Sequence, residues 1–158
     1  MDTLFIFGAH YLYLFALASA LYFFWTLPAQ DKISIIVFSV TSLIATYIMV
    51  IIVGHLYYDP RPFTQTHIAP LIPHDPDNGF PSDHTVLLSA IACTFYPFSK
   101  KTAYILFIFA AVVGLSRVYV GIHHPIDVLG SMGIAIITSV IIYKLYQVQK
   151  QHAGQKHT

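Results

Sequence analysis

The chain has 158 residues, of which 56% are hydrophobic and 15% aromatic but only 9% charged, whereas roughly a quarter of the residues of a soluble domain are charged. That composition excludes an ordinary soluble domain, and a formal net charge of +1 supplies no basic field of the kind nucleic acid requires. Cys93 is the only cysteine, so neither an internal disulfide nor a cysteine-based metal site is available. One membrane-embedded domain is expected over residues 1–149, followed by a polar tail at 150–158.

In chain order, the first apolar run covers 4–27. It is long enough to span a bilayer and has no small-residue cleavage site after it, so it reads as a retained helix. A second run covers 33–56. The 57–83 segment that follows is polar and carries Pro60, Pro62, Pro70, Pro73, Pro76 and Pro81 among aspartates and histidines, a composition that excludes regular helix. Polar loops of this length in a compact protein are functional or disordered. The next run, 84–98, is short, and Lys100 and Lys101 at its far end carry it to the opposite surface. Runs at 102–121 and 125–147 complete an all-α transmembrane bundle of about five spans, with the long loop carrying part of the site. Along the last run Ser131, Ala135 and Ser139 recur every four positions, a pattern for close helix packing within the chain rather than for a dimer.

Alternating spans put Lys32, Lys100, Lys101, Lys144, Lys150 and Lys156 on one side and Arg61, Arg117 and every acidic residue except Asp31 on the other. By the positive-inside rule the lysine side, with the C-terminus, is cytoplasmic, and the arginine side faces outward.

Three outward segments hold ionisable residues at helix ends, where an unpaired charge is costly and marks a functional candidate. In Asp59-Pro60-Arg61-Pro62-Phe63 the prolines stiffen the chain around the Arg61 guanidinium. In Phe80-Pro81-Ser82-Asp83-His84-Thr85, Ser82 is placed to cap a helix whose first amides form an anion site, and His84 is placed to protonate a leaving oxygen. In the third, Arg117 ends one span, His123 precedes the next, Pro125 suits a first helical position and Asp127 falls in the first turn. Asp127 can hold one imidazole nitrogen of His123 and leave the other as a nucleophile. Together these residues supply what phosphoryl transfer needs: oxyanion partners, an activated nucleophile and an acid. The bland readings are a headgroup anchor for Arg61, simple capping for Ser82 and a structural pair for His123 and Asp127.

These segments resemble the three signature motifs of the type 2 phosphatidic acid phosphatase superfamily, the membrane lipid phosphate phosphatases. The motif S-R-x5-H-x3-D is matched by Ser116, Arg117, His123 and Asp127, P-S-G-H by Pro81-Ser82-Asp83-His84, and K-x6-R-P by Arg61-Pro62 with Gly54 at the lysine position. The Asp77-Asn78-Gly79 and Phe-Pro-Ser-Asp-His-Thr sequences look most like the bacterial undecaprenyl diphosphate phosphatase branch. The resemblance implies a phosphohistidine on His123, oriented by Asp127. His84 is then the acid, Arg61, Ser82 and Arg117 hold the phosphoryl oxygens, and neither a metal nor another cofactor is required. The lost lysine charge is replaced by His55, by His74 or by nothing, and Asp83 is tolerated if it points away from the anion. Superfamily members commonly have six spans, so a five-span chain lacks or never needed an N-terminal helix. The expected substrate is undecaprenyl diphosphate in the membrane, with phosphatidylglycerophosphate or phosphatidic acid as alternatives. From other classes, a histidine-rich transporter using His55, His67, His74, His84, His123 and His124 is disfavoured because these residues sit at span ends, not at the midplane. A catalytically silent scaffold is disfavoured by the complete third motif. Oligomeric state is not readable.

Overall fold

The computed structural model describes residues 1–66 and 68–155, with side chains described to Gln151. His67 of the long loop, Lys156 and the rest of 156–158 lie outside the described residues, as does the His152 side chain. Seven helices follow in order: α1 (Asp2–His10), α2 (Leu12–Thr26), α3 (Ala29–Leu56), α4 (Pro62–Thr66), α5 (Asp83–Phe95), α6 (Lys100–Tyr119) and α7 (Pro125–Gln155). The protein is an all-α integral membrane bundle. Among the described residues α3, α6 and α7 are each long and apolar enough to cross a membrane, and α1 with α2 forms a further span if its 49° bend lies within one crossing.

Four local outcomes depart from or refine the sequence expectations. The 4–27 run is broken at Tyr11, whose backbone (φ −122°, ψ −24°) leaves the helical path. The break lies beside Ala9, whose carbonyl accepts from Arg117 at 3.4 Å. The 57–83 segment contains one short helix, α4, which opens on Pro62, a position where a missing N–H costs nothing. α5, at 13 residues, is about 20 Å long, shorter than the roughly 30 Å hydrocarbon core. It is carried on by a turn through Phe98, and Ser99 caps α6 by accepting from the Thr102 amide. Helical backbone in α7 also continues to Gln155, past the point at which the tail was expected to begin.

α5 is the central helix, packed against α2, α3, α6 and α7. Its apolar face meets Ala16, Ala110 and Val113 through Leu88, and Ala20, Ile35, Ala103 and Leu106 through Ala92 and Phe95. A third cluster of Ala9, Ile72, Val120 and Ile122 fastens α1 and the long loop to the α6–α7 turn. Large side chains such as Leu21, Trp25, Ile33, Ile108, Leu129 and Ile137 remain exposed on the outside of the bundle. That surface suits lipid, in which an apolar exterior carries no penalty. The C-terminal ends of α3 and α6 and the N-terminal ends of α5 and α7 share one end of the bundle, where all three motif segments meet.

Candidate active site

The α6–α7 turn delivers the imidazole. Gly121 takes φ +83°, a conformation that favours glycine, and turns the chain so that His123 points inward while Pro125 starts α7. His123 is only 2% exposed. Its Nδ1 lies 2.9 Å from the Gly79 carbonyl and 3.3 Å from Asp127 Oδ2. A carbonyl can only accept, so Nδ1 carries the proton and Nε2 presents its lone pair. Asp127 Oδ2 also accepts from the His124 amide at 2.8 Å, while its Oδ1 is buried without a partner.

Arg61 reaches this ring from the long loop. It donates through Nε to Asp77 at 2.6 Å and through one terminal nitrogen to the Ile122 carbonyl at 2.8 Å, and that same nitrogen stands 3.5 Å from His123 Nε2. Its other terminal nitrogen is 3.4 Å from the Asn78 carbonyl. The guanidinium is thus held against the unprotonated nitrogen of the ring. Burial lowers the His123 pKa from 6.5, and the nearby charges of Arg117 and Arg61 lower it further, with the Asp127 hydrogen bond opposing them. Neutral imidazole is therefore the resting form at neutral pH. Burial opposes ionisation of Asp77, but the Arg61 contact outweighs it and holds that carboxyl below 3.8.

His84, in the first turn of α5, lies within electrostatic reach of Arg117, His123 and His74. Tyr13 of α2 packs edge-on against its ring at 4.6 Å. His84 Nδ1 and Arg117 Nε are both buried and have no hydrogen-bond partner among the described residues. The amides of Asp83, His84 and Thr85 likewise make no hydrogen bond among the described residues. Unpartnered polar groups of this kind, within electrostatic reach of His123, suit an anion.

The remaining expected residues fall differently. Ser82 precedes α5 but its side chain does not cap it: the hydroxyl pairs with Thr85 Oγ1 at 3.1 Å, and its amide donates to Ser131 Oγ at 2.8 Å. The close α5–α7 contact turns Ser82 inward and leaves the α5 amides open. Ser116 bonds back to Val112 and packs against Gly8, a helix-contact role. Asp83 is exposed and borders a cleft of about 280 Å³ together with Gly54, His55, Arg61, Asp77 and Asn78. His55 Nδ1 bonds back to the Ile51 carbonyl of its own helix, whereas the His74 ring stands 6.5 Å from the His123 ring. A larger cavity of about 640 Å³ lies at the lysine end, between Phe38, Tyr96, Lys100, Phe107 and Tyr143, away from these residues.

Sequence reasoning assigned no role to Asp59, Asn78 or the Gly79 carbonyl, and none at this site to His124. Asp59 Oδ2 pairs with His124 Nδ1 at 3.1 Å. Burial and the adjacent Asp127 carboxyl raise the Asp59 pKa above 3.8, and His124 opposes the shift. Asp59, His124 and Asp127 bring three ligand-type atoms within 4.8 Å of one another; Asp59 and His124 pair with each other, while Asp127 Oδ1 has no partner among the described residues. The signal for Asp59 was its place two residues before Arg61. For Asn78 it was a side chain of matched donors and acceptors flanked by Asp77 and Gly79.

Fold and side chains together define a class, a membrane-embedded hydrolase of phosphorylated substrates. The chain belongs to the PAP2 superfamily, whose profile matches residues 33–151. It is 31% identical over 138 residues to the bacitracin transport permease protein BcrC of Bacillus licheniformis, a match covering 87% of this chain and 68% of that protein. It is 37% identical over 105 residues to the undecaprenyl-diphosphatase BcrC of Bacillus subtilis (strain 168), covering 66% of this chain and 52% of that protein. The crystal structure of Aquifex aeolicus LpxE superposes with a TM-score of 0.70 at 27% identity, covering 91% of this chain and 87% of that one.

Proposed function

We propose that the protein removes the terminal phosphate of undecaprenyl diphosphate through a phosphohistidine on His123. The observation that carries the reading is the polarised His123 ring, with Nδ1 tied to Gly79 and Asp127 and Nε2 facing the Arg61 guanidinium. Nε2 attacks the terminal phosphorus, and the bond from phosphorus to the bridging oxygen breaks. His84 gives its proton to that oxygen, releasing undecaprenyl phosphate. Water then attacks the phosphohistidine, returns a proton to His84 and releases inorganic phosphate. Arg61, Arg117 and the first amides of α5 hold the equatorial oxygens, where charge develops. Asp127 stabilises the imidazolium, Ser82 fixes the start of α5, and His74, whose ring stands 6.5 Å from that of His123, supplies the charge that Gly54 lacks.

The similarity to undecaprenyl-diphosphatase BcrC supports this lipid over phosphatidylglycerophosphate and phosphatidic acid. Lys32, Lys100, Lys101, Lys144 and Lys150 belong to the far helix ends, which supports an outward-facing site. The test is phosphate release from the three lipids by purified protein, with and without chelator, and from lipid added outside sealed right-side-out vesicles. Release from undecaprenyl diphosphate in every arm is expected. Full activity of His123→Ala refutes the mechanism, activity confined to phosphatidylglycerophosphate moves the substrate, abolition by chelator points to a metal, and latency in the vesicles reverses the side.

A further inference from the structure

The shorter of the two contacts at His123 Nδ1 is to a main-chain group: Gly79 O at 2.9 Å against Asp127 Oδ2 at 3.3 Å. A carbonyl has no proton to give, so it fixes the protonated nitrogen regardless of the state of Asp127. A loop carbonyl can orient a ring in this way only if the loop itself is held. Asn78 does the holding. Its Oδ1 accepts from the amides of Asp59 at 2.9 Å and Phe80 at 3.0 Å, and its Nδ2 donates to the carbonyls of Gly54 and Tyr57, each at 3.0 Å.

A carboxamide has two donor hydrogens and an oxygen with two lone pairs, so every capacity of this side chain is used. It joins the last turn of α3, the start of the long loop and the strand of chain leading into α5. The Gly79 amide adds a bond to the Asp59 carbonyl at 2.8 Å, and Pro60 and Asn78 form an isolated antiparallel bridge. Gly79 has no slack either, since a Cβ there would stand 3.0 Å from Asp59 O and 3.2 Å from Asp127 Oδ2. The carbonyl facing His123 is pinned on both sides.

We infer that Asn78 is a positioning residue for the nucleophile: its saturated amide locks the Gly79 carbonyl that holds the Nδ1 proton of His123, keeping Nε2 as the free lone pair. The inference rests on the proposed function, in which Nε2 attacks phosphorus. It divides the work of orienting the ring. The main chain sets the tautomer, and Asp127 stabilises the positive charge that appears when the ring is phosphorylated.

The test is nitrogen-15 NMR of the histidine-labelled full chain in detergent, with the His123 signals assigned by difference against His123→Gln, alongside kcat and KM for phosphate release. His123 is expected as the Nδ1–H tautomer in the parent protein and in Asp127→Ala. In Asn78→Ala the tautomers mix, and kcat falls about 10- to 100-fold with KM nearly unchanged, the size expected when a reacting group is misplaced by about 1 Å. Asn78→Asp keeps the accepting oxygen but loses the donors to Gly54 and Tyr57, and is expected to lose part of that activity. Inversion of the tautomer in Asp127→Ala overturns the inference, as does an Asn78→Ala protein with parental tautomer and kcat. Should Asn78→Ala not fold, Asn78→Asp and the Asp127→Ala spectrum still decide. Failure of the underlying mechanism looks different: an active His123→Ala protein, with the parental tautomer spectrum unaffected.

Discussion

Gly54→Lys tests whether the phosphate is held at the cleft beside Arg61. The backbone admits the side chain, because a Cβ at Gly54 would meet nothing closer than the Phe80 carbonyl at 3.7 Å and Pro81 Cδ at 3.9 Å. From the last turn of α3 a lysine would extend into the cleft bordered by Arg61, Asp77 and Asp83. Two unit charges about 4 Å apart attract by ~1 kcal/mol in water and ~4 kcal/mol at an effective dielectric constant near 20. The cleft is open, and Asp77 and Asp83 share the new charge, so the lower value applies. About 1 kcal/mol corresponds to roughly a fivefold lower KM with kcat held, since a charge that binds ground and transition states alike does not speed the chemical step. The helix gains as well, because replacing a helical glycine contributes ~0.5–1 kcal/mol and raises Tm by about 1–4 °C. Gly54→Gln is the control, matching length and helix propensity without charge. Michaelis curves in mixed micelles at a fixed lipid fraction provide the assay. Equal KM for the lysine and glutamine variants would refute the placement of the phosphate.

Gly130→Ala would put a methyl group into the Phe80 ring, 2.7 Å from Cζ and closer still to Cε2. A rigid ring cannot yield cheaply, so a loss of about 1–3 kcal/mol is expected, read as a lower thermal midpoint by scanning fluorimetry; an unchanged midpoint contradicts the packing. In pH profiles the proposed mechanism requires neutral His123, whose pKa lies below 6.5. Falling pH protonates Nε2, so kcat/KM is lost on the acid side with an inflection below 6.5. Arg61→Gln removes one of the depressing charges and is expected to move that inflection upward, a shift that titration of the substrate cannot produce; a downward shift or none refutes it.

The sequence made the fold class and the candidate site residues legible because each rests on a local signal. Long apolar runs mark helices in lipid, and the spacing of His123 and Asp127 across a helix start sets up their contact directly. What it left out depends on contacts between distant segments. The break at Tyr11 has no proline or glycine to announce it and lies where α1 meets Arg117, more than a hundred positions along the chain. Ser82 reads as a cap by type, but the fold spends its amide on Ser131, 49 positions away. The Gly79 carbonyl belongs to the main chain and has no residue type to read. Asn78 was in view only as part of a family-like tripeptide, and its four partners come from segments that only the fold assembles.

The small-residue stripe on α7 shows how helix packing and chemistry are coupled. Ser131, Ala135 and Ser139 are all buried within the chain, so this face is engaged inside the bundle. Ser139 bonds Ser42 of α3 at 2.8 Å, and Ser131 accepts the Ser82 amide at the start of α5 while its own proton goes to the carbonyl of Asp127 or Ser82. In lipid, where apolar faces gain nothing from burial against one another, close packing and such interhelical bonds set the rotation of a helix. Rotation is what the site needs fixed. Each residue along α7 turns the helix by about 100°, so a slip of one position would swing Asp127 away from His123 and break the Ser131 link to α5. One hydroxyl thus fixes the helix carrying His84 against the helix carrying Asp127, and the distance between the proposed acid and the proposed nucleophile is set by packing below the site as much as by the residues within it.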